Sequence, residues 1–466
     1  MRRFFLLSAL FLSTLMSAFA VDSDEQTAIP VMPRTVYYDG YEVKTIYDTD
    51  LDDGIFRPDN SLRCVRLTES QYDAFGDDLQ LRVSIYPQCD NYDRMGLVRL
   101  AFVEKGAETY DPEKVEKIEL ARFITPFMNR NKLPKRVNFL WDIPDVAYIF
   151  HDPALRAKYD FWIETYIFGM PYSAQTQVAG CEGRVDVYSA SVDFFTSGTG
   201  LETLAEQAKE HRLIPVYTTK SEIYGPVNLN NYKEEACDEL GVTTRTFRFT
   251  AEEDMADAQI YLILTNHGAG DFGEEYNRRT HFIYLDGENI LTYKPGGFSC
   301  EPYRRYNSQG NGIYGREPLP DEEWTWNNWC PGSPQPIRRI ALGELKAGKH
   351  EIKISVPDAE FYNKDGDFRP SIHVQGMRQG QLPTSAVDEI AEELIAEASF
   401  SRHGDEIRFS LPGEIRDIQL FDAQGVLLEG SYQPEGYISL ADRPEGVYIL
   451  VVTQRDGRYA LFKTMK

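Results

Sequence analysis

Short runs of alternating apolar and polar residues recur along most of the chain, each closed by Gly, Pro or Asp. Leu79, Leu81, Val83 and Ile85 share one side of a run that stops at Pro87. The pattern returns at Leu97–Val103, Arg122–Thr125, Asp160–Ile167, Val185–Phe195, Val242–Phe249, Tyr261–Leu264, Phe282–Leu285 and Glu351–Val356. A period of two puts successive side chains on opposite faces of a strand, so the chain predicts many short antiparallel strands in sandwiches. Helical signals are confined to two places. One is the charged stretch 203–217 (TLAEQAKEHRLIPVY), read as holding a short helix. The other is 385–398, where Val387, Ile390 and Leu394 follow Ser385 as an N-cap.

The punctuation places boundaries near residue 200 and after Gly380. The expected organisation is an N-terminal domain over 35–200, a second over 201–380, a linker over 381–400 and a small β-sandwich over 401–466. Residues 21–34, polar and Pro-containing, read as a leader. Before them, Arg2 and Arg3 precede the apolar run Phe4–Met16, and Ala18-Phe19-Ala20 supplies a small-x-small cleavage pattern. That is the form of a secretory signal peptide over 1–20, which predicts passage through the periplasm to the exterior or the outer cell surface.

Composition narrows the function classes. With 49 basic against 73 acidic residues the formal charge is −24, which disfavours nucleic acid as a partner. Six cysteines in an oxidising compartment favour disulfides, with fifteen pairings open, and the absence of CxxC argues against a structural zinc site. No cofactor is expected, and the chain is read as a monomer. There is no GxSxG nucleophile elbow.

Three segments gather carboxylate, aromatic and arginine residues at strand ends: Cys89-Asp90-Asn91-Tyr92-Asp93-Arg94, Trp162-Ile163-Glu164-Thr165-Tyr166, and Gly273-Glu274-Glu275-Tyr276-Asn277-Arg278-Arg279-Thr280-His281. In the second, alternation puts Trp162, Glu164 and Tyr166 on one face. Aromatic faces stack on pyranose rings while carboxylates and guanidinium groups bind hydroxyls, so the clusters suit a glycan. His267 and His281 read as structural hydrogen-bonding histidines.

The order of these segments resembles the peptide:N-glycosidase F family over about 70–380. The resemblance lies in Ala74-Phe75-Gly76-Asp77, Cys89-Asp90 through Asp93-Arg94, Arg122-Phe123-Ile124-Thr125-Pro126, Lys132-Leu133-Pro134, Glu164-Thr165, Arg279-Thr280-His281 and Trp329-Cys330-Pro331-Gly332. It implies an all-β fold of two adjacent antiparallel eight-stranded jelly rolls with a site in the cleft between them. The implied activity is hydrolysis of the bond between Asn and the innermost N-acetylglucosamine of N-glycosylated proteins or peptides, giving Asp and a glycosylamine.

Carried over by position, Asp93 and Glu275 become the catalytic carboxylates and Glu164 the residue that grips the second sugar. Arg94, Arg279, Tyr92, Tyr166, Tyr276 and Trp329 become substrate-binding residues, and Cys300 pairs with Cys330. The sequence departs from the family where Gly273 and Asn277 replace a cysteine pair that brackets the second carboxylate, so that loop must be held in another way. Tyr stands at three positions that commonly carry Trp, and Trp326 replaces an arginine. An acidic insertion around Lys220–Glu239 is expected over the cleft.

The closing segment resembles the type IX secretion sorting domain through Asp422-x-x-Gly425, Glu445-Gly446-Val447-Tyr448 and the basic end at Lys463 and Lys466. That resemblance implies the type IX machinery as a partner. A non-catalytic glycan-binding surface protein on the same sandwiches is the alternative reading.

Overall fold

A computed structural model describes residues 26–42, 44–46, 54–219, 229, 243–268, 273–310, 326, 328–360, 367–378, 399–403, 406–410, 415–422, 427–431, 437–440, 443, 446–454 and 459–466. The expected signal peptide, linker helix and nearly all of the acidic insertion lie outside these residues.

The first unit contains β1 (Thr27–Tyr38), β2 (Ile55–Phe56), β3 (Leu62–Arg66), β4 (Gln80–Pro87), β5 (Met95–Glu104), β6 (Lys117–Ile124), β7 (Val137–Asp142), β8 (Tyr159–Ile167) and β9 (Asp186–Thr196). They form two sheets, ordered β1-β9-β4-β7 and β2-β3-β8-β5-β6. Between the sheets, Leu81, Val83 and Ile85 meet Val98, Leu100, Phe102, Ile163 and Phe194 in one buried core. Gly76 is required where the chain turns into β4, because a Cβ there would lie 2.5 Å from the Thr199 carbonyl oxygen.

The second unit contains β10 (His211–Tyr217), β11 (Thr243–Ala251), β12 (Met255–His267), β13 (His281–Leu285), β14 (Glu288–Tyr293), β15 (Arg338–Leu345), β16 (Gly348–Val356) and β17 (Asp367–Arg378). Its sheets run β10-β17-β12-β15 and β11-β16-β13-β14. The core between them includes Phe247, Ile260, Leu262, Ile283, Ile354 and Val374.

A third core, formed by Ile407, Phe409, Leu420, Leu450 and Val452, belongs to β18 (Ser399–His403), β19 (Glu406–Ser410), β20 (Ile415–Asp422), β21 (Leu427–Ser431), β22 (Tyr437–Ser439), β23 (Val447–Gln454) and β24 (Tyr459–Met465). β21 joins β15 through the pair Arg339↔Gly430.

The architecture is all-β with antiparallel sheets, as the alternation predicts, and one sequence expectation is corrected. Residues 27–34 are not leader but the start of β1, registered on β9 from Thr27↔Thr196. Pro30 and Pro33 disguised it: proline removes ladder donors and is tolerated in an outermost strand, here with irregular register after Pro30. The short helix expected in the stretch 203–217 is present as part of Leu201–Gln207, and the stretch continues into β10, which is likewise outermost and slips register at Pro215.

β5 and β6 are buried on both faces. Met95 and Leu97 point away from the sandwich core into a second cluster with Trp162, Tyr166, Trp326, Trp329 and the Cys300–Cys330 disulfide. The seam between the units runs along β6. Ile124 N–H donates to Ser333 O at 3.0 Å, Gly332 N–H to Ile124 O at 3.1 Å and Gln335 N–H to Arg122 O at 2.7 Å. The fully buried Arg122 guanidinium pairs with Glu119 at 2.6 Å and donates to Thr265 Oγ1 and Arg369 O at 2.8 and 2.5 Å.

Candidate functional site

β4 ends at Pro87, and the loop that follows is fastened before it can wander. Cys89 is bridged to Cys181, a pairing the sequence left open. Asp90, fully buried, accepts from Tyr92 N, Arg94 Nε and Met170 N at 2.9, 2.8 and 2.7 Å, so its charge is compensated. Thr125 pins both sides of the next acid: Arg94 N–H donates to Thr125 Oγ1 at 2.7 Å, and that hydroxyl donates to Tyr92 O at 3.1 Å. Tyr188 OH also donates to Tyr92 O, at 2.6 Å.

Asp93 itself is treated differently from Asp90. Its Oδ2 is sealed from solvent with no hydrogen-bond partner among the described residues. Burial pushes its carboxyl up to about 7, against the opposing pull of Arg94 and with a smaller push from Asp90. A buried carboxylate oxygen without a donor is costly to ionise and is the kind of group that active sites keep.

The 273–277 turn repeats the division of labour. Glu274, fully buried, is gripped by Arg279 at 3.1 and 3.0 Å and accepts from Glu360 N. Glu275 beside it is half-buried. Asn277 Nδ2 donates to Gly273 O at 3.0 Å, across the two positions where the family carries cysteines. Asn328 Nδ2 lies 2.6, 2.7 and 3.1 Å from the carbonyl oxygens of Glu274, Glu275 and Asn277.

The two turns, 182 positions apart by number, share one aromatic row across the seam. Tyr92 packs edge-on to Phe127 at 6.0 Å, Phe127 to Trp326 at 5.9 Å, and Trp326 to Tyr276 at 5.4 Å between ring centroids. The residue preceding Asp93 and the residue following Glu275 therefore belong to one cluster. Tyr92 and Tyr276 are partly exposed.

Of the other sequence-selected residues, Tyr166 and Trp329 belong to the same cluster. Glu164 does share its face of β8 with Trp162 and Tyr166, but it is completely buried: Lys117 Nζ donates to its two oxygens at 2.7 and 2.9 Å and Tyr110 OH donates at 3.0 Å. It pairs in register with Arg99, four residues into β5 from Met95, which is about 13 Å along the strand. Both of its oxygens are engaged, by Lys117 and Tyr110. Alternation gave the face correctly but could not show that Lys117 and Tyr110 cover it.

Tyr166 and Trp329 are also buried, and Trp329 Nε1 donates to Asn266 O at 3.1 Å. Arg94 is paired with Asp90 and Arg279 with Glu274. His281 is buried and pushed down to about 3, and His267 is driven well below its ordinary value by burial. A cavity of about 260 Å³ opens between Arg99, Lys117, Tyr217 and Thr219, on the Glu164 side and not beside Asp93. Sequence reasoning did not assign Thr125 or Asn328 a role. Thr125 lay in a recognised motif, while nothing local marks Asn328.

The family model described as Peptide-N-glycosidase F, N terminal, matches residues 28–185, and Peptide-N-glycosidase F, C terminal, matches 231–375. No curated protein matches the chain. Two solved structures of PNGF-II are similar at 20% and 18% identity, with TM-scores of 0.55 and 0.53; each alignment covers 76% of this chain and 66% and 65% of theirs, just under two thirds. PNGase F, a glycosylasparaginase from Flavobacterium meningosepticum, aligns at 16% identity over 76% of this chain and 96% of its own, with a TM-score of 0.49.

Proposed function

We propose, from the premise that this chain belongs to the peptide-N-glycosidase F family, that it hydrolyses the amide bond between Asn and the innermost N-acetylglucosamine of N-linked glycoproteins or glycopeptides. The observation that carries the reading is the contrast within each turn. Asp90 and Glu274 are neutralised by arginine, while Asp93 keeps a buried, unpartnered oxygen and a carboxyl near neutrality.

Amide hydrolysis needs water made nucleophilic and a nitrogen leaving group that receives a proton. Asp93, with its carboxyl at about 7, accepts a proton from water as the oxygen attacks the carboxamide carbon. The C–N bond then breaks, Asp is left on the peptide, and the proton passes to the departing glycosylamine. Glu275, reaching the same seam from the second unit, hydrogen-bonds the sugar-bearing nitrogen. Tyr92 and Tyr276 stack on the sugar.

The test is mass spectrometry of an N-glycopeptide after incubation with the purified protein. Conversion of glycosylated Asn to Asp with no sugar retained is expected. A retained N-acetylglucosamine would mean cleavage between sugars, and binding without turnover would favour the glycan-binding alternative. We propose in addition that residues 1–20 direct export and that 401–466 engage the type IX machinery, giving a monomer outside the cell or on its surface. Fractionation of cells with and without 401–466 checks this: deletion is expected to trap the protein in the periplasm.

A further inference from the structure

The Glu275 turn lacks the covalent brace that fastens the Asp93 loop, and a candidate carboxylate is useful only if its direction is fixed. We propose that Asn328 is the positioning residue that holds Glu275, acting as a hydrogen-bonded staple completed by Asn277; this rests on the amidase reading above.

The chemistry of Asn328 leaves little freedom. Its amide nitrogen faces three main-chain carbonyl oxygens, those of Glu274 at 2.6 Å, Glu275 at 2.7 Å and Asn277 at 3.1 Å. Only the NH2 end of the side chain can meet three acceptors, and its two hydrogens serve three carbonyls through one shared bond. The carbonyl of Glu275 is itself one of the three, so the bond acts on the peptide unit that aims its carboxylate. Asn328 is 6% exposed, and its Oδ1 lies 3.5 Å from Asn266 Nδ2. Its neighbours are fixed in turn: Trp329 Nε1 donates to Asn266 O, and Cys330 is bridged to Cys300.

Asn277 closes the same turn from within by donating to Gly273 O at 3.0 Å. Residues 273 and 277 are where the family resemblance expects two cysteines, so hydrogen bonds stand where a disulfide would. Glu274, locked to Arg279 and to Glu360 N, prevents the turn from rotating as a whole.

The experiment compares wild type, Asn328→Ala, Asn277→Ala and Asn328→Ala combined with Gly273→Cys and Asn277→Cys. Backbone hydrogen exchange of the peptide covering 273–281 reads the staple, and steady-state deglycosylation of a glycopeptide reads its effect. For Asn328→Ala, exchange in that peptide is expected to rise about tenfold or more while the β5 and β6 peptides stay protected. kcat is expected to fall about 10- to 100-fold with KM changed less than about threefold, as for a misplaced catalytic group. Oxidising the introduced cysteine pair should restore most of kcat, and reduction should remove it again.

Unchanged exchange in Asn328→Ala overturns the staple, as does restored protection in the cysteine variant without recovery of kcat. Asn277→Ala, which removes a single bond, should show the same changes at smaller size and serves if Asn328→Ala does not fold. A wild type that binds but does not cleave overturns the amidase reading alone, and exchange then decides the staple.

Discussion

The two acid-bearing turns do one job with opposite means. In the first, a disulfide at Cys89, a compensated Asp90 and the Thr125 hydroxyl fix the chain on both sides of Asp93. In the second, hydrogen bonds and an ion pair fasten the turn: Asn277 donates to Gly273 O, Asn328 to Glu275 O, and Arg279 pairs with Glu274. The difference teaches that a loop can be fastened by a covalent bridge or by side-chain amides that donate to its carbonyls. Each turn also ties one acid to an arginine, Asp90 to Arg94 and Glu274 to Arg279.

The sharpest way to break this comparison is to separate the two acids by activity. Asp93→Asn is expected to lower kcat by about 10²- to 10⁴-fold, the range for a lost general base. Glu275→Gln should slow turnover while leaving a limb in the pH–rate profile at about 7, because that limb belongs to Asp93. A profile of Glu275→Gln that has lost the limb would reassign it.

Next in size is the covalent brace. Replacing Cys89 and Cys181 by Ser removes a bridge spanning 92 positions, with an expected loss of about 4 to 5 kcal/mol in denaturant unfolding. Hydrogen exchange at 273–281 should not respond, since that turn has its own restraints.

The seam supporting both turns is tested by Arg122→Ala. Removing one partner of a buried pair strands Glu119, at an expected cost of about 3 to 5 kcal/mol.

The smallest effect is on stability against pH. Asp93 has a folded-state carboxyl raised above its unfolded value, so the native state holds its proton more tightly. Stability from this group is fully present below the unfolded value near 4 and is lost as pH rises to about 7. Asp93→Asn removes that loss, so its Tm should exceed wild type at pH 8 and match it at pH 4.

Much of this was legible in the chain. A period of two gave the strands that bury one face, and the order of motifs gave the family. What stayed hidden has physical causes. β1 carries prolines that local rules exclude from strands, and only its outermost place admits them. Glu164 was correctly faced but not seen to be buried, because Tyr110 arrives from a loop and Lys117 from β6, two places along the sheet from β8. The RFITP and WCPG motifs were recognised as strings; their meeting along β6, where Ile124 exchanges main-chain bonds with Gly332 and Ser333, is a tertiary fact. Asn328 carries no local signal, since a lone Asn gains its role from three carbonyls supplied by a distant turn.

The prolines of β1 and β10 have a consequence for how the molecule behaves in a crowd. An extended strand with a bare flank is a template on which another chain can add itself and begin a fibril. Pro30, Pro33 and Pro215 have no N–H to offer such a ladder, and the register slips beside Pro30 and Pro215. Each of the two large sandwiches thus ends in a strand ill-suited to recruiting a copy of itself, a safeguard against aggregation written into the rim of the fold.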